Sequence, residues 1–172
     1  SVPSLDSVRL ADADLRADYA AHRDRYRREE ELKARHILFL TRGGGPAEDA
    51  RARARADSLL QVVRHGGDFG DYARQFSQEP GAPSSGGDLG WFGRGRMVRE
   101  FEAAAFALKP GGISDVVKSQ FGYHIIKLED RRPAGVRPFE EVRDEIRTAL
   151  GASRADLLAL NRARALRRQL VA

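Results

Sequence analysis

Hydrophobic positions follow two different spacings along this chain. Near the N-terminus they recur every three or four residues, which indicates an amphipathic helix. Its apolar face consists of Leu15, Tyr19, His22 and Tyr26. Asp12 or Asp14 is expected to cap this helix. Residues 32–41 are instead predicted to form a strand, and the apolar run at 37–40 predicts a buried end.

Two helices are predicted for the next part of the chain, one long and one short. Glycines at residues 43–45 precede Pro46, which favours the first turn of a helix over residues 47–64. Asp68 is expected to cap a second, shorter helix. The side chains expected to face inward from that helix are Phe69, Tyr72, Ala73 and Phe76.

The pattern then predicts a further helix over residues 98–108. Residues 115–118 and 123–129 are expected to form antiparallel strands, joined by a tight loop at residues 119–122. Proline and glycine at residues 132–135 mark a boundary.

Beyond this boundary the helical spacing returns. An apolar face is formed by Phe139, Val142, Ile146, Ala149 and Leu150. Gly151 is expected to bend or interrupt the helix before a second leucine-rich stretch. Residues 12–28 and 138–171 therefore each carry an unpaired apolar face. We expect these flanks to pack against one another or against another copy of the chain.

Residues 86–97 are the most informative segment. Five glycines alternate there with leucine, tryptophan, phenylalanine and methionine. This stretch is too apolar for a solvated linker and too rich in glycine for a regular strand. It predicts a backbone that turns sharply while directing apolar side chains into one cavity.

With the segment Arg35-His36-Ile37-Leu38 before it and the run at residues 119–126 after it, this stretch resembles the parvulin family of peptidyl-prolyl isomerases. The resemblance covers roughly residues 33–131. It implies an α+β parvulin fold, in which helices surround a four-stranded antiparallel sheet. We expect an isomerase domain at residues 32–132, with helical flanks at residues 1–31 and 133–172.

The resemblance also implies a proline pocket. Leu89, Met97 and Phe101 match its family positions, and Phe92 lies close beside them in sequence. All four could instead be ordinary core residues. For Phe92 the two interpretations are balanced, whereas the family positions favour the pocket for Met97 and Phe101. Phe121 fits the bacterial form of the motif and is a candidate substrate-binding residue.

Four polar residues complete the candidate site by the same resemblance. His36 and His124 match histidines at the floor of the family's cleft, and Ser119 matches a hydroxyl that bonds into their network. Glu79 occupies a loop position where family members carry cysteine or an acidic residue. Its carboxylate either changes the electron density of the twisting amide or merely borders the cleft. We expect no metal ion and no cofactor.

Some parvulins bind phosphate through a basic cluster after the first strand. Here that place holds Arg42 followed by glycines, so a phosphate requirement is not expected. The expected substrate is an unmodified chain with an apolar or small residue before proline.

Composition excludes some functions. Cysteine is absent, which rules out disulfides and thiol catalysis, and the net charge is +5. Aromatic residues do not alternate with the arginines, so nucleic acid is not an expected partner. No apolar run approaches the ~20 residues needed to cross a bilayer.

The helical flanks resemble those of bacterial folding factors of the SurA, PpiD and PrsA type. This resemblance implies a rotamase and chaperone that acts on unfolded or proline-containing client proteins. It also implies a location in the periplasm or another extracytoplasmic space, either free or, in a full-length protein, tethered to a membrane. A cytoplasmic location stays open, and so does self-association through the flanks. The alternative function is a client-binding chaperone module with weak or no isomerase activity.

Overall fold

The computed structural model describes residues 10–41 and 43–171. Residues 29–134 form one compact unit, and residues 10–28 and 135–171 contribute to a second. The first unit contains a four-stranded antiparallel sheet in the order β3-β2-β5-β4. Its strands are β2 (Glu31–Leu40), β3 (Asp88–Gly93), β4 (Val117–Ser119) and β5 (Gly122–Arg132). The preceding strand, β1 (Arg27–Arg28), belongs to the second unit.

Four helices surround this sheet: α2 (Gly45–Arg64), α3 (Phe69–Phe76), α4 (Ala82–Ser85) and α5 (Arg99–Ala107). Pro46 lies in the first turn of α2, where its missing N–H has no cost. Asp68 caps α3, and its carboxylate accepts a 2.9 Å hydrogen bond from the Asp71 N–H.

The long central strand β2 separates two hydrophobic clusters because alternate side chains of a strand point to opposite faces. Ile37 and Phe39 lie in the cluster formed with α2 and α3. Leu32 and Ala34 belong to the other cluster, which includes Phe101 of α5. The candidate site lies on the α5 side of the sheet.

The second unit joins the two ends of the described chain. It contains α1 (Asp12–Ala21), a 3-10 turn at Arg23–Tyr26, β1 (Arg27–Arg28), β6 (Gly135–Val136) and α6 (Phe139–Val171). The strands β1 and β6 pair antiparallel. One buried cluster holds α1 against α6 and consists of Leu15, Tyr26, Phe139, Val142 and Ile146. The two flanks thus cover part of each other's apolar face.

Three local predictions were wrong. Ala11, rather than Asp12 or Asp14, is the N-cap of α1, and the Asp14 carboxylate instead accepts a hydrogen bond from the Ala11 N–H. The helix α6 continues through Gly151, so the expected interruption there is absent. Phe76 is 42% exposed rather than inward-facing, because it falls at the last position of α3.

The last part of α6 keeps an exposed apolar surface. Side chains that remain about half exposed or more are Leu157, Leu158, Leu160, Leu166 and Leu170. No helix in the described ranges is both long enough and apolar enough to cross a bilayer.

Candidate active site

A cavity of about 440 Å³ opens on the α5 side of the sheet. Its wall is mostly apolar, with a small polar group at one side. The residues that line it are His36, Leu38, Leu40, Glu79, Pro80, Leu89, Arg96, Met97, Val98, Phe101, Phe121 and His124. The structure therefore brings together most of the residues predicted for the site.

The pairing of β2 with β5 explains why both histidines reach this cavity. His36 lies opposite Ile126, and Leu38 lies opposite His124. The two histidines are thus diagonal neighbours on one face of the sheet, a separation across which long side chains interact. A shift of one residue in this register would move His124 to the opposite face.

The histidines form one chain of polar contacts with Ser119. The Nδ1 atoms of His36 and His124 are 3.2 Å apart. The Nε2 atom of His124 lies 2.6 Å from the Ser119 hydroxyl oxygen, which also accepts a hydrogen bond from the Phe121 N–H. Ser119 does not line the cavity itself, so it acts on the site through His124.

These contacts couple the tautomers of the two rings. If the Ser119 hydroxyl donates to His124 Nε2, the proton of His124 is on Nδ1 and is donated to His36 Nδ1. His36 then carries its proton on Nε2. The reverse direction of donation moves every proton to the other nitrogen. Only one proton can lie between the two Nδ1 atoms, so the two rings cannot both be doubly protonated.

Burial favours the neutral rings strongly. The side chains of His36 and His124 are almost completely buried. Desolvation, together with repulsion from a charged His124, lowers the pKa of His36 to about 4. Desolvation lowers the pKa of His124 to about 4 as well. At neutral pH the floor of the cavity is polar but uncharged.

Glu79 faces the outer nitrogen of His36. Its carboxylate lies 3.4 Å from His36 Nε2, a buried atom that has no hydrogen-bond partner among the described residues. The Glu79 side chain is partly buried, and desolvation raises its pKa above the ordinary value. An ionised Glu79 favours the arrangement in which His36 Nε2 carries the proton.

The loop before Glu79 is attached to the part of β2 that β3 does not pair. The Leu38 N–H donates to the Ser77 hydroxyl over 3.0 Å, and the Leu40 N–H donates to the Gln78 side-chain carbonyl over 2.8 Å. These side chains replace a strand partner. They hold Glu79 beside His36.

Gly87 allows the glycine-rich segment to approach His36. Its carbonyl accepts a 3.0 Å hydrogen bond from the His36 N–H. The Gly87 backbone is left-handed, with φ of 74°, and a Cβ there would lie 2.2 Å from the His36 carbonyl oxygen. Any other residue would force β3 away from the site.

Phe101 connects the apolar wall to the histidines. Its ring is nearly perpendicular to both imidazoles, with centroid distances of 5.6 Å to His36 and 5.4 Å to His124. Leu89 and Met97 pack against the same cluster and remain partly open to the cavity. Together they form an apolar patch next to the uncharged polar floor.

Two candidate substrate-binding residues differ in position. Phe121 lies on the cavity wall and is 49% exposed. Phe92 is buried behind the wall and packs against the rings of Phe101 and Phe106. The structure therefore does not place Phe92 where a substrate could touch it, because its neighbours in the cluster cover it.

The sequence-based site omitted several lining residues: Leu38, Leu40, Pro80, Arg96 and Val98. Leu38 and Leu40 follow His36 at intervals of two, so strand alternation could have placed them on its face. Pro80 and Arg96 are chain neighbours of Glu79 and Met97. No local pattern showed that their side chains enter the cavity.

A second groove, of about 450 Å³, lies on the α2 side of the sheet. Arg55 is the one titratable residue among those that line it, and its guanidinium lies over the Phe39 ring. It lacks the paired polar groups of the first cavity. No cluster of potential metal ligands occurs among the described residues.

Comparison with known families identifies the domain that carries this cavity. The model of the PPIC-type PPIASE domain matches residues 21–132. The chain belongs to the PPIC-type peptidyl-prolyl isomerase family. The resemblance to parvulins is thereby confirmed.

Curated relatives include the foldase protein PrsA of Geobacillus sp. (strain WCH70), which is 36% identical over 89% of this chain and 49% of its own length. Another is the chaperone SurA of Cupriavidus pinatubonensis, 40% identical over 85% of this chain and 28% of that protein. The chain thus spans half or less of these relatives.

Solved structures support the same family. Peptidylprolyl isomerase PrsA of Bacillus anthracis superimposes with a TM-score of 0.53 at 35% identity, over 84% of this chain and 57% of that chain. A structure concerning two SurA-like chaperones of Campylobacter jejuni, one of them described as periplasmic, gives a TM-score of 0.57 at 29% identity. That match covers 96% of this chain and 64% of the other. The predicted fold class is confirmed.

Proposed function

We propose that this chain catalyses the cis/trans isomerisation of Xaa-Pro bonds in unfolded or partly folded client proteins. The observation that carries the proposal is the cavity in which an apolar patch adjoins two buried, neutral histidines and the carboxylate of Glu79. The family match supports the same reaction.

The reaction needs no nucleophile and no net proton transfer. Its barrier of about 18–20 kcal/mol comes from the resonance that keeps the amide planar. A catalyst must therefore bind the twisted amide better than the planar one. In this proposal Leu89, Met97 and Phe101 hold the proline ring, and the flexible methionine thioether adapts as the ring moves.

Glu79 would act on the amide electrostatically. A planar amide carries negative charge on its carbonyl oxygen, and that charge diminishes as the C–N bond twists. A carboxylate beside this oxygen disfavours the planar form, most strongly where the surroundings exclude water. The neutral histidines and Ser119 orient the polar floor without adding a positive charge that would oppose this effect.

The clients proposed here are unphosphorylated. A phosphate clamp usually combines several donors, whereas Arg96 is the one cation that lines the described cavity. Arg42, the arginine considered for this role, lies outside the described residues. We propose an extracytoplasmic location, as for the periplasmic relative.

A second candidate function is client binding without rapid isomerisation. The exposed leucines of α6 favour it, since an exposed apolar helix face binds unfolded chains or another copy. The relatives named chaperone SurA are consistent with it. Sedimentation over a range of concentrations distinguishes self-association from client binding.

Exchange NMR on an Ala-Leu-Pro-Phe peptide tests the leading proposal. Uncatalysed isomerisation takes tens to hundreds of seconds, so catalytic amounts of protein should accelerate exchange visibly. Folded protein that produces no acceleration, yet suppresses aggregation of a denatured client, would establish the second candidate instead.

A further inference from the structure

Arg96 places a guanidinium at the candidate site without an ion-pair partner among the described residues. Its side chain lines the same cavity as Met97 and Phe101. Among the described residues no carboxylate pairs with it, although most other arginines around the sheet have such a partner. The residue is also exposed, so a bound peptide can reach it.

The turn that carries Arg96 is held in place. Gly95 has a left-handed backbone with φ of 82°, which reverses the chain between β3 and α5. The Gly95 N–H donates to the Glu102 carboxylate of α5. This bond ties the turn to the helix that carries Phe101 and engages Glu102, one of the two glutamates in the first turn of α5.

The turn also separates its two arginines. Arg94 lies over the Phe106 ring at 4.0 Å and pairs with Glu30 at 3.6 Å. Its charge is satisfied away from the cavity. Arg96, two residues later, enters the cavity beside Met97 without a partner of this kind.

None of the other described ionisable side chains that line the cavity pairs with the Arg96 guanidinium. The buried histidines are neutral at neutral pH, and Glu79 lies next to His36 rather than pairing with Arg96. A substrate carboxylate that enters beside Met97 therefore meets a free guanidinium. A substrate cation there meets repulsion.

We infer that Arg96 selects client segments in which an acidic residue directly precedes or follows the isomerised proline. This inference rests on the proposed isomerase function and names the substrate class of that same site. The acidic residue proposed here replaces the apolar or small residue that the sequence led us to expect before proline. The ligand group is a side-chain carboxylate.

The test compares isosteric peptides that differ in charge alone. Exchange NMR gives kcat/KM for peptides with glutamate or glutamine immediately before proline, and for a second pair with these residues immediately after it. An exposed ion pair should favour one glutamate peptide by about two- to fivefold at low salt. The preference should shrink towards unity in 1 M NaCl.

Variants locate the effect. Arg96→Gln should abolish the glutamate preference while isomerisation of the glutamine peptides continues, and Arg96→Glu should favour a lysine peptide instead. Arg99→Gln is the matched control, because Arg99 is exposed on the first turn of α5 outside the cavity lining. It should keep the preference.

The outcomes separate the two proposals. No catalysis of any peptide would refute the isomerase function. Catalysis without a glutamate preference, or with one that survives Arg96→Gln, would overturn the role of Arg96 alone. A phosphoserine-proline peptide that turns over more than tenfold faster than the glutamate peptide would indicate a phosphate clamp and would also overturn it.

Discussion

The Nδ1 atoms of His36 and His124 lie 3.2 Å apart across neighbouring strands, and one proton must be shared between them. Each ring has a different outer neighbour: the Ser119 hydroxyl at 2.6 Å for His124 and the Glu79 carboxylate at 3.4 Å for His36. A change at either end of this chain of contacts therefore affects both rings.

Met97→Ala should lower kcat/KM for an Xaa-Pro peptide by about tenfold, because the proline ring loses apolar contact on binding. Met97 is only partly buried, so the fold should persist. Exchange NMR measures the rate, and circular dichroism verifies folding. Val62→Ala is the matched control, since this exposed residue lines the groove on the α2 side. Equal rates in both folded variants would remove Met97 from the pocket.

Ser119→Ala should destabilise the protein by about 1–3 kcal/mol, because a buried ring nitrogen and the Phe121 N–H both lose their partner. Urea unfolding measures this loss. Activity of the folded fraction should also fall, since His124 is no longer oriented. Ser84→Ala, at an exposed position in α4, serves as the control. A variant as stable and active as the wild type would show that the hydroxyl contributes nothing.

Stability should fall as the pH decreases from 7 to 5. The pKa of each histidine is about 4 in the folded protein against 6.5 ordinarily, so the unfolded state binds more protons between these values. The free energy of unfolding should decrease by about 2 kcal/mol per histidine over this range.

This measurement is best made by urea unfolding in the Glu79→Gln background. Glu79 has a raised pKa, so its contribution runs in the opposite direction: relative to the unfolded state it favours the folded protein as the pH falls. Adding His124→Gln should reduce the pH dependence whatever its effect on absolute stability. An unchanged slope would mean that the histidines are not buried as neutral rings.

Glu79→Gln should reduce kcat/KM at neutral pH. The substitution should also remove part of the decrease in kcat/KM that acidification causes in the wild type. Burial raises the pKa of Glu79, so the wild-type carboxylate begins to protonate at a higher pH than an ordinary glutamate. Wild-type kcat/KM should therefore fall on acidification before the protein unfolds, whereas the variant should show a flatter profile. Identical profiles would leave Glu79 as a residue at the border of the cleft.

Much of the fold followed from local patterns. The sequence predicted the strand that contains His36, the hairpin whose first strand ends at Ser119, and the helices that begin near Pro46 and Asp68. These elements were predictable because strand alternation, capping and turn chemistry act over a few residues. The errors occurred where local rules were ambiguous. Gly151 remains helical, and Phe76 lies at a helix end where little packs against it.

The sequence by itself determined which residues are candidates for the chemistry, since histidine, glutamate, methionine and the glycines occur in the order of one family. Tertiary structure alone decided which of them meet. The β2–β5 register brings His36 to His124, close packing covers Phe92, and the turn at Gly95 separates Arg94 from Arg96. These outcomes depend on contacts between distant parts of the chain, and no local spacing encodes such contacts.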